Sequence, residues 1–269
     1  YTDDEHYQQR IKRATPQGGD IIITREAPMG EVGMIPEGIV CCLGQRMVLL
    51  RANPAICDNY YLLYSLQSRY VQHQISWSEG TGTTVSNLRI PHLEQLKIPY
   101  LPLSKQRQVS SVLRCLEEKI KHNRVINDNL QQQAQAIYAS MFVDNAEPTW
   151  KQGHLSDFVI VRYGKDHKKL ADGIYPVYGS GGIMRHVERP LYDKESVLIP
   201  RKGTLNNVMY VNQPFWSVDT MFYTEMRQPN VAKFVYHFVK AKDLASMNAG
   251  SAVPSMTTDI LNAMEIVIP

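Results

Sequence analysis

Many of the residue patterns that mark a catalyst or a metal protein are missing from this chain. Of its 269 residues only four are cysteine, Cys41, Cys42, Cys57 and Cys115, with no C-x-x-C pair and no histidine at finger spacing. That argues against a structural zinc site and predicts reduced thiols packed in the core. The eight histidines never stand four apart, so no helix carries a metal-binding pair. There is no G-x-x-x-x-G-K-[ST] phosphate loop, no H-E-x-x-H and no G-x-S-x-G elbow, and the glycine runs at 80–82 and 179–182 are not G-x-G-x-x-G. An adenine methyltransferase needs a polar-Pro-Pro-aromatic pocket for a flipped base, and no Pro-Pro dipeptide occurs. Glu117, Glu118 and Lys119 have the residue types of a nuclease site but lie on a helix with no acidic partner, as a solvated face would. The expectation is a chain with no catalytic residue, no metal and no cofactor of its own. Long apolar runs are also missing, and Asp3, Asp4 and Glu5 stand where a secretory leader would be basic and then apolar. A soluble, cytoplasmic protein without a membrane partner is expected.

What is present is a core-forming composition, 43% hydrophobic and 20% charged, with a formal net charge of +3 from 29 basic and 26 acidic residues. Such a balance permits a polyanionic partner without requiring one, so local placement has to decide. The strongest local signal is an internal repeat. Asp20–Ala27 (DIIITREA) leads to Gln45–Leu50 (QRMVLL); Ser196–Gly203 (SVLIPRKG) leads to Asp219–Tyr223 (DTMFY). Each copy continues with an amphipathic helix, marked by Leu62, Leu63, Leu66 and Tyr70 in the first and by Val231, Phe234, Val235, Phe238 and Val239 in the second. A polar, glycine-containing loop follows, Gly80–Leu88 matching Asn248–Met256. Leu93, Leu96 and Ile98 then answer to Leu261, Met264 and Ile266, each closing on a short strand. The second copy carries Trp150–Glu195 ahead of its first shared strand, the first copy only Tyr1–Gly19, so the first is expected to lack its opening part.

Between the copies, Ser104 to Phe142 contains neither glycine nor proline and is dense in helix formers, with Ser104 as the expected N-cap. Val109, Leu113, Leu116, Ile120, Asn123, Asn127, Leu130, Ala134, Ile137 and Met141 alternate steps of four and three, a coiled-coil seam whose two asparagines would fix register. The domain reading is therefore a first recognition unit at 1–103, a central helix at 104–143 and a second unit at 144–269. The fold class is α/β (α+β), two repeated domains joined by a long helix.

The loops of both copies place basic, amide and hydroxyl side chains beside glycine, the chemistry of groove and phosphate contacts. The candidate DNA-binding residues are Arg25, Arg46, Thr83, Thr84 and Asn87 in the first copy, with Tyr178, Ser180, Arg201, Lys202, Asn206, Asn207 and Ser251 in the second. Arg25 and Arg201 follow the same strand. Two reading units on one stiff helix of about 55 to 60 Å form a ruler for two short sequences at fixed separation.

At this point Asp20–Gly33 (DIIITREAPMGEVG), Ile98–Gln108 (IPYLPLSKQRQ) opening the long helix, Tyr175–Gly182 (YPVYGSGG), Leu198–Gly203 (LIPRKG) and Trp216–Thr220 (WSVDT) together resemble the specificity (S, or HsdS) subunit of type I restriction-modification systems. The resemblance implies two target recognition domains, central and distal conserved helices, and a non-catalytic subunit that reads a bipartite duplex site. It implies two methyltransferase (M) subunits bringing S-adenosylmethionine, and restriction (R) subunits bringing ATP and Mg. Two features depart from the pattern: Lys105 stands where the family often has an acidic residue, and neither the opening of the first domain nor a distal helix is found. Two other readings stay open, a specificity module of a fused restriction-methylation enzyme and a stand-alone DNA-binding regulator.

Inserting four helical residues after Leu116 adds about 6 Å to the ruler. Methylome sequencing of the source cell carrying this variant is expected to return unchanged half-sites with a spacer longer by one or two base pairs; altered half-sites at the old spacing would remove the helix from that role.

Overall fold

The computed structural model describes residues 2–77, 87–247 and 255–269. The chain forms two compact units, Tyr1–Val125 and Ile126–Pro269. Among the described residues no helix is long and apolar enough to cross a membrane.

In the first unit a short helix α1 (Asp4–Arg10) precedes strands β1 (Ile21–Thr24), β2 (Val32–Met34) and β3 (Met47–Leu50), which pair antiparallel in the order β2-β1-β3. Ile21 and Ile23 alternate into the core, where they meet Leu63, Leu66, Val71 and Ile75. Those four come from α2 (Asn59–Gln67) and α3 (Arg69–Trp77). The repeat predicts one helix here. Ser68 divides it: its backbone turns extended and its hydroxyl donates to the Ser65 carbonyl at 2.6 Å, while its own carbonyl accepts from Val71 and Gln72. A short helix α4 (Ile90–Glu94) follows.

The long helix α5 runs Leu103–Ala139 and continues as a wider π turn over Ser140–Asp144. Its start corrects the expected cap. Ser104 lies inside the helix, and Pro102 holds the cap position, its carbonyl accepting from Lys105 and Gln106 at 2.8 and 3.0 Å. Docking decides this: buried Gln106 accepts from the Asp58 backbone N–H and donates to the Ile56 and Leu101 carbonyls, and Ser110 donates to the Asp58 carboxylate at 2.6 Å. Further along, Arg114 lies over the Tyr60 ring and Tyr64 donates to Glu117 at 2.8 Å.

The second unit adds β4 (Lys151–His154), α6 (Leu155–Phe158), β5 (Val159–Tyr163), β6 (Asp172–Gly179), β7 (Gly182–Val187), β8 (Ser196–Pro200), β9 (Met209–Val211), β10 (Trp216–Ser217), β11 (Met221–Met226), α7 (Ala232–Lys240), α8 (Thr258–Asn262) and β12 (Glu265–Ile268). Its central sheet is β5-β11-β8-β9, so β9-β8-β11 repeats the order of β2-β1-β3. The register agrees: Thr24 faces Met47 as Pro200 faces Met221. A second sheet, β10-β6-β7, covers one face of the central sheet, and α6, α7 and α8 cover the other. Every residue of β8 is consequently buried, Val197 and Ile199 toward the helices and Leu198 toward the second sheet. In β1, which has one covered face, Ile22 stays half-buried between buried neighbours. The closing strand also differs. β12 forms against β4, whereas the 95–100 segment of the first unit, where the repeat predicts a strand, has none.

The C-terminal part of α5 packs on the second unit through Tyr138, Phe142 and Gln135, the last bonded to His237. The seam lies elsewhere on the helix. Val109, Leu116, Ile120, Leu130, Ile137 and Met141 are exposed, as are Asn123 and Asn127, while Leu113 and Ala134 are half-buried. The cysteines also depart from expectation: all four are free, but none is in the core, three being half-buried and Cys115 exposed on α5.

One buried polar position is shared by both units, where the first shared strand begins, and is satisfied differently in each. Asp20, just before β1, binds Arg51 at 2.7 and 2.6 Å, whereas Ser196 donates to the Thr224 carbonyl at 2.8 Å. The Arg51 hydrogen bonds hold the Asp20 carboxyl below its ordinary range. A depressed carboxyl stabilises the fold above its unfolded value of about 3.9 and loses that contribution as the pH falls through the folded value. Asp20→Asn is expected to lower the stability of the first unit by about 2 kcal/mol at neutral pH, and denaturant titrations should show the gap to wild type closing as the pH is taken below about 4.

Candidate nucleic-acid interface

In each unit the residue after the first shared strand is held from both sides by backbone bonds. The Arg25 N–H donates to the Arg46 carbonyl at 2.7 Å, and its carbonyl accepts from Leu88 at 3.0 Å. The Arg201 N–H donates to the Thr220 carbonyl at 2.9 Å, and its carbonyl accepts from Met256 at 2.9 Å. Strand end, second loop and polar loop therefore converge on one point in both copies.

The two guanidinium groups are used differently. Arg25 is half-buried and turned inward: its Nε donates to the Leu88 carbonyl at 2.9 Å and a terminal nitrogen to the Asn87 side chain at 3.2 Å. Asn87 in turn donates to the Glu26 carboxylate, which lies 4.0 Å from Arg46. Arg25, Asn87 and Arg46 thus come together, with Arg46 alone largely exposed. Thr83 and Thr84 lie outside the described residues.

Arg201 instead lies over the exposed ring of Tyr163, 5.4 Å from its centroid, and makes a long 3.3 Å bond to the Asp219 carbonyl. Guanidinium stacking of this kind orients the group while leaving most of its donors open. Lys202 is exposed, and among the described residues its ammonium has no partner. Gly203, at φ +84°, sits against Ser180 so closely that a Cβ would meet its hydroxyl at 2.7 Å. Asn207 donates to the Ser180 carbonyl at 2.7 Å. These contacts fix the β6–β7 turn against the 201–207 loop.

Tyr178 stays half-buried beneath that turn, its carbonyl accepting from Val218 and its ring set edge-on to Phe215. Asn206 is not part of the cluster. It donates to Asp243 at 3.0 Å and accepts from the Ala245 N–H at 3.0 Å, and its amide holds the Asp243 carboxyl below the ordinary range. Ser251 lies outside the described residues.

Sequence reasoning passed over Tyr163 and the basic loop after it, Lys165, His167, Lys168 and Lys169. The Lys165 N–H donates to the Ser217 carbonyl at 2.8 Å and its carbonyl accepts from the Trp216 indole at 2.8 Å, so the loop is anchored beside the 217–220 segment whose Thr220 carbonyl accepts from the Arg201 N–H. Four basic or imidazole side chains within five residues were a usable signal.

The family described as the type I restriction modification DNA specificity domain matches residues 2–132 and again 147–269. A chain of Methanocaldococcus jannaschii assigned as a type I restriction enzyme specificity subunit is 26% identical over 118 residues, 44% of this chain and 27% of that relative. A chain of Mycoplasma genitalium assigned as a type I specificity subunit is 25% identical over 182 residues, 61% of this chain and 47% of that relative. The chain thus spans at most about half the length of these curated relatives. The crystal structure of a type I restriction-modification S subunit from M. genitalium superposes with a TM-score of 0.61 at 21% identity, covering 94% of this chain and 72% of that one. Matched along nearly its whole length and once in each of its two units, the chain belongs to the type I restriction modification DNA specificity domain family.

Proposed function

We propose that this chain is the sequence-reading subunit of a type I restriction-modification complex, binding a bipartite duplex site with one half-site for each unit. The observation that carries the reading is the doubling: two copies of one scaffold, each a match to the same family, bring a basic strand end and two loops to the same point. Twofold use of one surface suits a split target. In the second unit, Arg201 is the base reader, oriented by Tyr163, and Lys202 is a phosphate contact. In the first unit Arg46 takes the outward role, and Arg25 holds the end of the polar loop at Asn87 and Leu88.

The chemistry belongs to partners in this reading. S-adenosylmethionine and the adenine-modifying pocket come with methyltransferase subunits, and ATP and Mg with restriction subunits. The exposed seam of α5 supports a helical partner, since a stripe of leucine, isoleucine and valine with two central asparagines is what a second helix would cover and register.

Co-expression with a type I methyltransferase subunit from the source genome, followed by purification and methylome mapping, tests the reading. A co-purified methyltransferase and a split adenine-methylated motif are expected; a chain that recovers no methyltransferase and gives no such motif would refute it. In the assembled complex Arg201→Ala is expected to cost about 1 to 3 kcal/mol and to relax one base position in a single half-site. Lys202→Ala should weaken all duplexes evenly and lower the salt slope by about one unit. Arg25→Ala should show itself in thermal melting, through loss of two internal hydrogen bonds worth about 1 to 3 kcal/mol together.

A further inference from the structure

The β6–β7 hairpin of the second unit presents an apolar tip for which the fold has no internal use. Ile183 and Met184 are 54% and 61% exposed, immediately after the Gly181–Gly182 turn. Tyr178 pairs with Ile183 and Val177 with Arg185, so Met184 is the extra residue of a bulge, and the simple alternation of a strand is broken between the two apolar side chains. β7 is also the edge of its sheet, order β10-β6-β7, and an exposed apolar edge is a liability in a free protein.

The tip is nonetheless held firmly. Its turn is tied to the 201–207 loop by the Asn207 bond to the Ser180 carbonyl and by the packing of Gly203 on Ser180. Met184 lies across Gly179, where a Cβ would come within 2.6 Å of its sulfur. The apolar tip is therefore continuous with Arg201 and Lys202, on a surface whose charge suits a polyanion. A two-stranded ribbon fits the major groove, and the apolar feature that groove offers is the C5-methyl of thymine.

We infer that the β6–β7 ribbon enters the major groove of the second half-site and that Ile183 and Met184 read thymine methyl groups there, beside the base contact of Arg201. The inference rests on the proposed DNA-reading function and adds residues and a target group to it. Lys202 holds the flanking phosphate, and the stiff link through Ser180 fixes the distance between the polar and apolar contacts. Gly179 is required because any larger residue would displace Met184 from its place along the ribbon.

The test uses duplexes carrying the preferred half-site, with each thymine replaced in turn by uracil, which removes only the methyl. The purified complex of the full chain with its methyltransferase should bind at least one uracil-substituted duplex about fourfold more weakly, the value of burying one such group. In Met184→Ala or Ile183→Ala that difference should vanish at one thymine while preference at the Arg201 position persists, and Gly179→Ala should reduce it with both apolar side chains present. Melting temperature and methyltransferase recovery check that each variant is folded and assembled. A wild-type complex that distinguishes the half-site from scrambled DNA yet is indifferent to every uracil substitution would overturn this inference alone. Variants that retain the difference would overturn it too, as would variants that lose methyltransferase assembly but keep the thymine preference, which would mark the ribbon as a protein contact. A wild-type complex with no preference for any sequence would bring down the DNA-reading proposal together with it.

Discussion

The rest of this structure depends on two residues whose backbones are bonded on both sides. Where β1 and β8 end, Arg25 and Arg201 each give their N–H to the loop before the next shared strand and receive a bond from the residue that closes the polar loop. Loops of this kind cannot pack themselves, since their backbone groups need partners. Closing them on the end of a buried strand gives each loop a fixed origin, and side chains that project from there inherit the rigidity of the sheet. The same closure in two units with different loop residues is how one scaffold can present two unrelated surfaces.

Much of this was legible in the residues because the duplication leaves a signal at every level. Apolar strands recur with the same order of helix, polar loop and final apolar run, and alignment through Leu88 and Met256 falls on the pair that makes the equivalent bonds. What was not legible depended on tertiary partners. Ser104 has the chemistry of a cap, but Gln106 and Ser110 reach Asp58 and draw the helix start back to Pro102. Asn206 and Asn207 look alike in sequence, yet one is held by Asp243 and the other by Ser180. Arg25 and Arg201 share a register position and separate only because Asn87 and the Leu88 carbonyl meet the first, while Tyr163 lies under the second. Periodicity reports which face is buried; it carries no information on where a long polar side chain finds its partner.

The extra layer of the second unit shows how burial shapes composition. β8 is covered on both faces and reads as a continuous apolar run, and Thr224 beside it is paired with Ser196 in the dry interior. The first unit, with one covered face on β1, meets the same position with a charged pair, affordable because Arg51 remains half-exposed to water. Equivalent places in a duplicated fold are thus free to hold a neutral or a charged group, provided each polar group is satisfied.

From Lys119 to Gln133, every residue of α5 is exposed. A segment of that length without lateral support sits near the limit at which a helix sustains itself in water. The apolar stripe along it is then more than a place of attachment: a helix laid against it would supply the missing lateral contacts over the whole stretch.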